Sequence, residues 1–416
     1  MQQVKLDFDS IARLLTLRYD PGKNPLIRPL VPSDFGLKTF NDVEMSVLGA
    51  IKKDILEKHR TMKFKQISIA LSGGVDSRLT LAMIRSFLPD IKVNCISVGF
   101  GDKDDEVEQA KEIAKVFDCK FYGIILDNIL ADLPRLISVV KEPRWNLYQF
   151  YPFQYGKSLS NIFYTGDGGD ELFGGYTFRY RKFLSLMPQG AGWKEKTKLY
   201  LSCHERDWVP DQDRIFGPAV RFSWEKIYNI FRPFFDNRIE PLDQVFLADF
   251  NGKLLYDWLP TNTAFSKHLT LRTKSLFLSP SMIRLATHVP WRQKYDAASS
   301  LGKIPLRNLL SKFEGKEISP AKRGFSLDLP LMWKRYARGI VEQYVNQESE
   351  VVRNRIINPV WLKKTYQRLT DDNILDPRYV NKMLSILALE IWYRLFVSGS
   401  MKNTQRLCLV LFKKGN

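Results

Sequence analysis

The chain has 416 residues, 44% hydrophobic and 26% charged, with 24 Gly and 21 Pro. That excludes a disordered or fibrous polypeptide and leaves room for about two or three domains. The net charge of +18, from 63 basic against 45 acidic side chains, is compatible with a polyanionic partner such as nucleic acid, with a site for a nucleoside triphosphate, or with solvated basic faces.

Basic residues are spread along the chain, with small clusters at 52–65, 179–182 and 413–414. Cys95, Cys119, Cys203 and Cys408 have no CxxC spacing and the four histidines are scattered, which argues against a zinc site or a disulfide framework and fits a reducing compartment. Residues after Met1 show no signal-peptide pattern. Apolar runs such as 407–412 fall far short of the roughly 20 residues of a membrane span. A cytoplasmic protein is the expectation.

In chain order, residues 1–62 read as an N-terminal extension of helix and loop. Helical patterns at 8–17 and 43–57 flank a loop through Pro21, Pro25, Pro29 and Pro32. A short apolar run predicts a strand over 66–71, then a helix over 76–87 with Leu79, Leu81, Ala82 and Ile84 inward. A strand over 93–100, an amphipathic helix over 104–117, a strand over 120–126, a helix from Asp127 and a strand over 162–165 follow. Alternating strands and helices imply a parallel sheet with right-handed crossovers. Ligands of such sheets bind outside the carboxyl ends of the strands. A parallel-sheet core is expected over 63–185 and a mainly helical part over 186–400, together one unit, with a basic tail over 401–416.

Two glycine-rich stretches fall at predicted strand ends. Leu71-Ser72-Gly73-Gly74-Val75-Asp76-Ser77 gives a tight turn whose N–H groups can meet an anion. Ser72 and Ser77 can add hydroxyl donors, and Asp76, at the helix start, can cap the helix or hold magnesium. No lysine follows the glycines, so this is not a GxxxxGK[ST] loop. The second stretch, Thr165-Gly166-Asp167-Gly168-Gly169-Asp170-Glu171-Leu172-Phe173-Gly174-Gly175-Tyr176, is too rich in Gly and Asp for a regular helix or strand. Its Asp170 is suited to join Asp76 on magnesium.

The first loop resembles the pyrophosphate loop of the N-type ATP pyrophosphatases, and the pair together resembles the asparagine synthetase family. Val98-Gly99-Phe100, Asp105-Glu106, Glu142-Pro143 (with Lys141 where the family usually has an acid), the KxxLR-like Lys303-Ile304-Pro305-Leu306-Arg307 and the KxGF-like Lys322-Arg323-Gly324-Phe325 follow in order. The likeness extends over about residues 40–395. It implies an α/β fold: a parallel-sheet ATP pyrophosphatase core, adenine nucleotide alpha-hydrolase-like, with a largely helical C-terminal portion. It implies ATP and Mg2+ as cofactors. By the same resemblance Ser72, Gly73, Gly74, Asp76 and Ser77 hold the phosphates, and Leu71, Val98 and Gly166 line the adenine and ribose. Asp76 and Asp170 bind the metal. Lys322 stabilises charge at the phosphates, and Asp167 takes a proton from the incoming amine or the tetrahedral intermediate. The implied reaction joins a carboxylate, aspartate by default, to ammonia or an amine through an acyl adenylate.

Two departures qualify that carry-over. Position 2 is Gln rather than the nucleophilic Cys of a glutaminase domain, so nitrogen is expected from free ammonia, another amine or a separate glutamine amidotransferase. In the acceptor region, three acids of the family pattern are replaced by Thr263, Arg272 and Ser279. Arg272 reverses a charge and motivates an alternative acceptor carrying extra carboxylates, or one attached to RNA or a carrier protein. A catalytically inactive nucleotide-binding subunit is the remaining alternative. The residues leave the oligomeric state open.

Overall fold

The computed structural model describes residues 6–36, 40, 42–101, 105–318, 327–371 and 375–407. Its centre is a five-stranded, wholly parallel sheet in the order β3-β2-β1-β4-β5. The strands are β1 Gln66–Ala70, β2 Lys92–Phe100, β3 Lys120–Leu126, β4 Ile162–Thr165 and β5 Arg272–Ser275. The first four match the sequence expectation to within a residue at either end. β5 was not expected: Arg-Thr-Lys-Ser carries no apolar alternation, and it pairs as an edge strand along β4, Ile162 opposite Arg272 and Thr165 opposite Ser275.

Helices α1 Phe8–Leu17, α2 Val43–Met62, α3 Val75–Phe87, α4 Asp105–Val116, α5 Leu133–Val140 and α6 Phe150–Leu159 cover the two faces. The helix expected from Asp127 begins at Leu133, where Pro134 occupies a first-turn position that needs no N–H. Successive side chains of a strand point to opposite faces, and two cores follow from this. Ile67, Ile69, Val93, Cys95, Ile162 and Tyr164 face one core, with α2, α3, α4 and the helix Ile304–Glu314. Ile96, Val98 and Phe163 face the other, with α5, α6 and the C-terminal helix Pro377–Phe396.

The N-terminal extension is firmly docked. Ile11, Ala12 and Leu15 of α1 lie in the second core and Val47, Ile51 and Ile55 of α2 in the first, while Lys23 reaches Glu142 at 2.5 Å. At the other end Leu407 is buried and its N–H donates to the Ala131 carbonyl at 2.8 Å. A third, aromatic-rich cluster (Tyr180, Phe183, Tyr200, Phe231, Phe235, Phe246) forms the centre of the helical part. Among the described residues no helix is long and apolar enough to cross a membrane.

Candidate active site

From β1 the chain winds outward through α3 to β2 and through α4 to β3, then returns to place β4 on the other side of β1. The strand order therefore reverses between β1 and β4, and the crevice outside their carboxyl ends is where ligands of such sheets sit. The first glycine-rich turn leaves β1 and the second leaves β4. The two expected loops thus face each other across that crevice.

In the first turn the two serines fasten the loop. The Ser72 N–H donates to Ser77 Oγ at 3.1 Å, the Gly74 N–H to Ser72 Oγ at 3.2 Å, and the two hydroxyls lie 3.1 Å apart. Gly74 caps α3, leaving Asp76 in the first turn of the helix, pointing across the crevice. In the second turn Gly168 has φ of +91°, a left-handed conformation that favours glycine, and opens the short helix α7 Gly169–Phe173, which carries Asp170.

The turns are in contact. A Cβ on Gly169 would lie 2.4 Å from Asp76 Cγ, and one on Gly166 would lie 2.9 Å from Asp76 Cβ. Asp76 and Asp170 meet on one cation, Lys303, whose ammonium pairs with Asp76 and lies 2.7 Å from an Asp170 oxygen. Burial on its own would lower the lysine pKa. Asp170 and Asp76 more than offset that and hold it above its ordinary value. Lys303 is the first residue of the KxxLR-like stretch. Its chemical signal, a lone lysine ahead of an apolar helix, is too common to mark a site without the fold.

These carboxylates fit magnesium. They are hard oxygen donors already arranged about a single positive charge, and the glycine at 175 keeps the space clear: a Cβ there would lie 1.7 Å from Asp170 Oδ1. Among the described residues no group of three or more His, Cys, Asp or Glu could hold a metal ion. Two carboxylates suit an ion that keeps waters and takes its other ligands from substrate phosphates.

Asp167 is partly buried and turned towards the helix Leu259–Leu269. Its Oδ2 accepts from the Thr165 hydroxyl and from Asn262 Nδ2, each at 2.8 Å, and its carbonyl accepts from the Ser275 hydroxyl at 2.6 Å. Burial raises its pKa, partly opposed by those two side-chain bonds. A carboxyl adjusted upward in this way is a stronger base than an exposed one. Asn262, one residue before Thr263, is a site neighbour that the sequence did not single out.

Leu71 and Val98 lie at the carboxyl ends of neighbouring strands, joined by the Leu71 N–H to Ile96 carbonyl bond of 2.8 Å. Their side chains pack into opposite cores, so a nucleotide there would meet main chain rather than both side chains. Lys322 lies outside the described residues. Arg272 is exposed and opens β5 opposite Ile162, at the amino end of the strand, about 10 Å of extended chain from the strand tips. Ser279 caps the helix Pro280–His288, its hydroxyl accepting from the Met282 N–H at 3.3 Å.

Comparison with known proteins decides the family. The asparagine synthase family model matches residues 57–394. This chain belongs to that family. Asparagine synthetase [glutamine-hydrolyzing] 1 of Bacillus subtilis is 25% identical over 50% of this chain and 36% of its own length. A Mycobacterium bovis protein provisionally named a glutamine-hydrolysing asparagine synthetase is 29% identical over 85% of this chain and 58% of its own. The chain thus spans between about a quarter and three-fifths of the length of the curated relatives it matches. A solved NAD+ synthetase from Burkholderia pseudomallei aligns over 64% of this chain and 97% of that one, with a TM-score of 0.24 and 11% identity, too weak a likeness to bear on the fold.

Proposed function

We propose that this asparagine synthase family chain is an ATP-dependent carbon–nitrogen ligase that adenylates a carboxylate and passes it to ammonia or an amine. The observation that carries this reading is the convergence of Asp76 and Asp170, from two turns on either side of the strand-order reversal, on one cation. Aspartate is the first substrate to test, because it is the substrate that the names of the relatives imply.

A substrate carboxylate oxygen attacks the α-phosphorus of ATP and pyrophosphate leaves, giving an acyl adenylate. The nitrogen then attacks the acyl carbon, and AMP leaves with the C–O bond that breaks. Asp76 and Asp170 would hold magnesium, which when bound neutralises charge on the phosphates. The loop over 72–77 presents N–H groups and the α3 N-terminus to the departing pyrophosphate. Asp167 takes the proton shed by the nitrogen, its carboxylate oriented by Thr165 and Asn262. Lys322, by family position, is assigned to charge developing on the phosphates.

The test is pyrophosphate release from MgATP and ammonium across a panel of carboxylic acids, with wild type against Asp76→Ala. Release that depends on one acid, with matching amide and AMP, and that is lost in the variant is the expected result. Release by an acid other than aspartate would reassign the substrate within the same chemistry. No acid-dependent release under any condition would remove the ligase reading.

A further inference from the structure

The cation between Asp76 and Asp170 is supplied by the chain itself. The Lys303 side chain is 4% exposed, against 12% for Asp76 and 25% for Asp170, so the lysine is the most enclosed member of the group. Lysine is a compact charge with three donors and can serve two carboxylates at once. Like charges at close range destabilise each other, and Lys303 is a cation paired with both carboxylates, while Arg307 also acts electrostatically on Asp76.

The surrounding main chain is built to present this ammonium. Lys303 has φ of +58° as it enters the helix Ile304–Glu314, and its N–H donates to the Phe173 carbonyl at 2.9 Å. Gly302 sits so close to the Gly174 carbonyl that a Cβ would lie 2.0 Å away. The lysine Cα is thereby fixed to the carboxyl end of α7, the helix that carries Asp170. The stem of Lys303 runs past Gly175, where a Cβ would lie 2.5 Å from Lys303 Cε. With the backbone pinned, any movement of the ammonium has to come from rotation about the four-carbon stem.

We propose that the Lys303 ammonium occupies the metal's place in the nucleotide-free protein, holding Asp76 and Asp170 poised and keeping free divalent ions out until a nucleotide brings one in. This rests on reading those carboxylates as the magnesium ligands, and adds an order of events to it. Two carboxylates offer a free, hydrated magnesium ion only two protein ligands, the rest of its shell remaining water. A free ion must also displace an ammonium that already satisfies both of them. An ion arriving on a triphosphate brings further oxygens, and the balance shifts.

The experiment measures Mn2+ binding by electron paramagnetic resonance, with Mn2+ alone and with Mn2+ plus a non-hydrolysable ATP analogue. The wild-type chain should bind free Mn2+ weakly and acquire a tight site only with the nucleotide; a tight one-to-one site for the free ion in wild type would overturn the proposal. Lys303→Met should tighten free Mn2+ by about tenfold or more, and free Mn2+ should raise its melting temperature more than that of wild type. Lys303→Gln, which keeps a hydrogen-bond donor without the charge, should show the same gain, whereas Lys303→Arg should not. A merely structural lysine would lower the melting temperature of all three with no gain in metal affinity, and that result rejects the proposal. Asp76→Asn separates the two levels. If nucleotide-dependent Mn2+ binding survives it, the reading of the carboxylates as metal ligands fails; if that binding is lost while Lys303→Met gains nothing, only the role of Lys303 fails.

Discussion

Two polar clusters grow from the same glycine-rich motif, and one residue step separates them. Asp170 faces the crevice and shares Lys303 with Asp76. Glu171, next along the chain and about 100° round the helix, turns inward to accept from the Tyr176 hydroxyl at 2.5 Å. Behind it lies a charged network. Asp249 accepts from the Tyr200 hydroxyl at 2.7 Å, with Arg179 at 3.7 Å, and Asp207 is paired with Lys253 at 2.5 Å and Arg18 at 3.5 Å. The cavity there, bordered by Tyr19, Glu171, Arg179 and Lys253, is about 20 Å³, room for one or two waters and for no substrate. Both clusters have strongly shifted pKa values. Burial would raise Asp207, yet Lys253 and Arg18 hold it well below the usual carboxylate range; burial lowers Lys253 to about 8 against the pull of Asp207. The exposure of the carboxylates tells the clusters apart: 12% and 25% for Asp76 and Asp170, 2% and 6% for Asp249 and Asp207. Perturbed titration marks desolvation, and only an open approach marks a site.

The strongest test of that contrast is a crossed pair of substitutions. Asp76→Ala should leave a folded chain and reduce acid-dependent pyrophosphate release by at least about a hundredfold. Asp249→Ala should strand Arg179 and cost about 3–5 kcal/mol of stability, while the fraction that remains folded keeps nucleotide-dependent Mn2+ binding. Urea unfolding and the release assay on both variants read this out, and equal loss of stability in both would erase the distinction.

Gly175→Ala comes next. Its methyl collides with Asp170 and the Lys303 stem, so release should fall about tenfold or more, with the unfolding midpoint moving little by comparison. Glu171→Gln probes the inner cluster through pH. Burial, with Asp170 adding to it, raises Glu171 from 4.5 to about 8. Between those values the unfolded chain has lost this proton and the folded chain has kept it, so this group makes stability fall as pH rises through the window. The Gln variant should gain on wild type between about pH 5 and about pH 8 and gain no more above it. The smallest effect is expected from Asn262→Leu. Removing one of the two bonds that lower the Asp167 pKa should move the acidic limb of the rate profile upward by up to about one pH unit.

The sequence made the frame of the site legible because β1, β2 and β4 are buried strands with apolar runs, and because two runs combining several glycines with acids fall at strand ends. Asp76 and Asp170 were legible for that reason. β5 was not, since Arg272–Ser275 earns its place through main-chain pairing with β4, which leaves no side-chain signature. Lys303 was quoted in a motif without a role, because its meaning lies in two acids far away in sequence. Arg272 runs the other way: its reversed charge was legible, and register puts it at the amino end of β5. Glu171 was read as one more acid in a motif, and only packing shows that it points inward.

The late strand has a consequence for assembly. β5 packs beside β4 and its Ser275 hydroxyl secures the Asp167 carbonyl, yet the helices that carry Tyr180, Phe183, Tyr200, Phe231, Phe235 and Phe246 are synthesised between them. Contacts of such sequence separation are slow to form. The candidate cleft should therefore be among the last features to mature during folding, and a nascent chain arrested before β5 should carry the first glycine-rich loop without the β5 side of the cleft. Protease protection of stalled ribosomal intermediates would show that boundary directly.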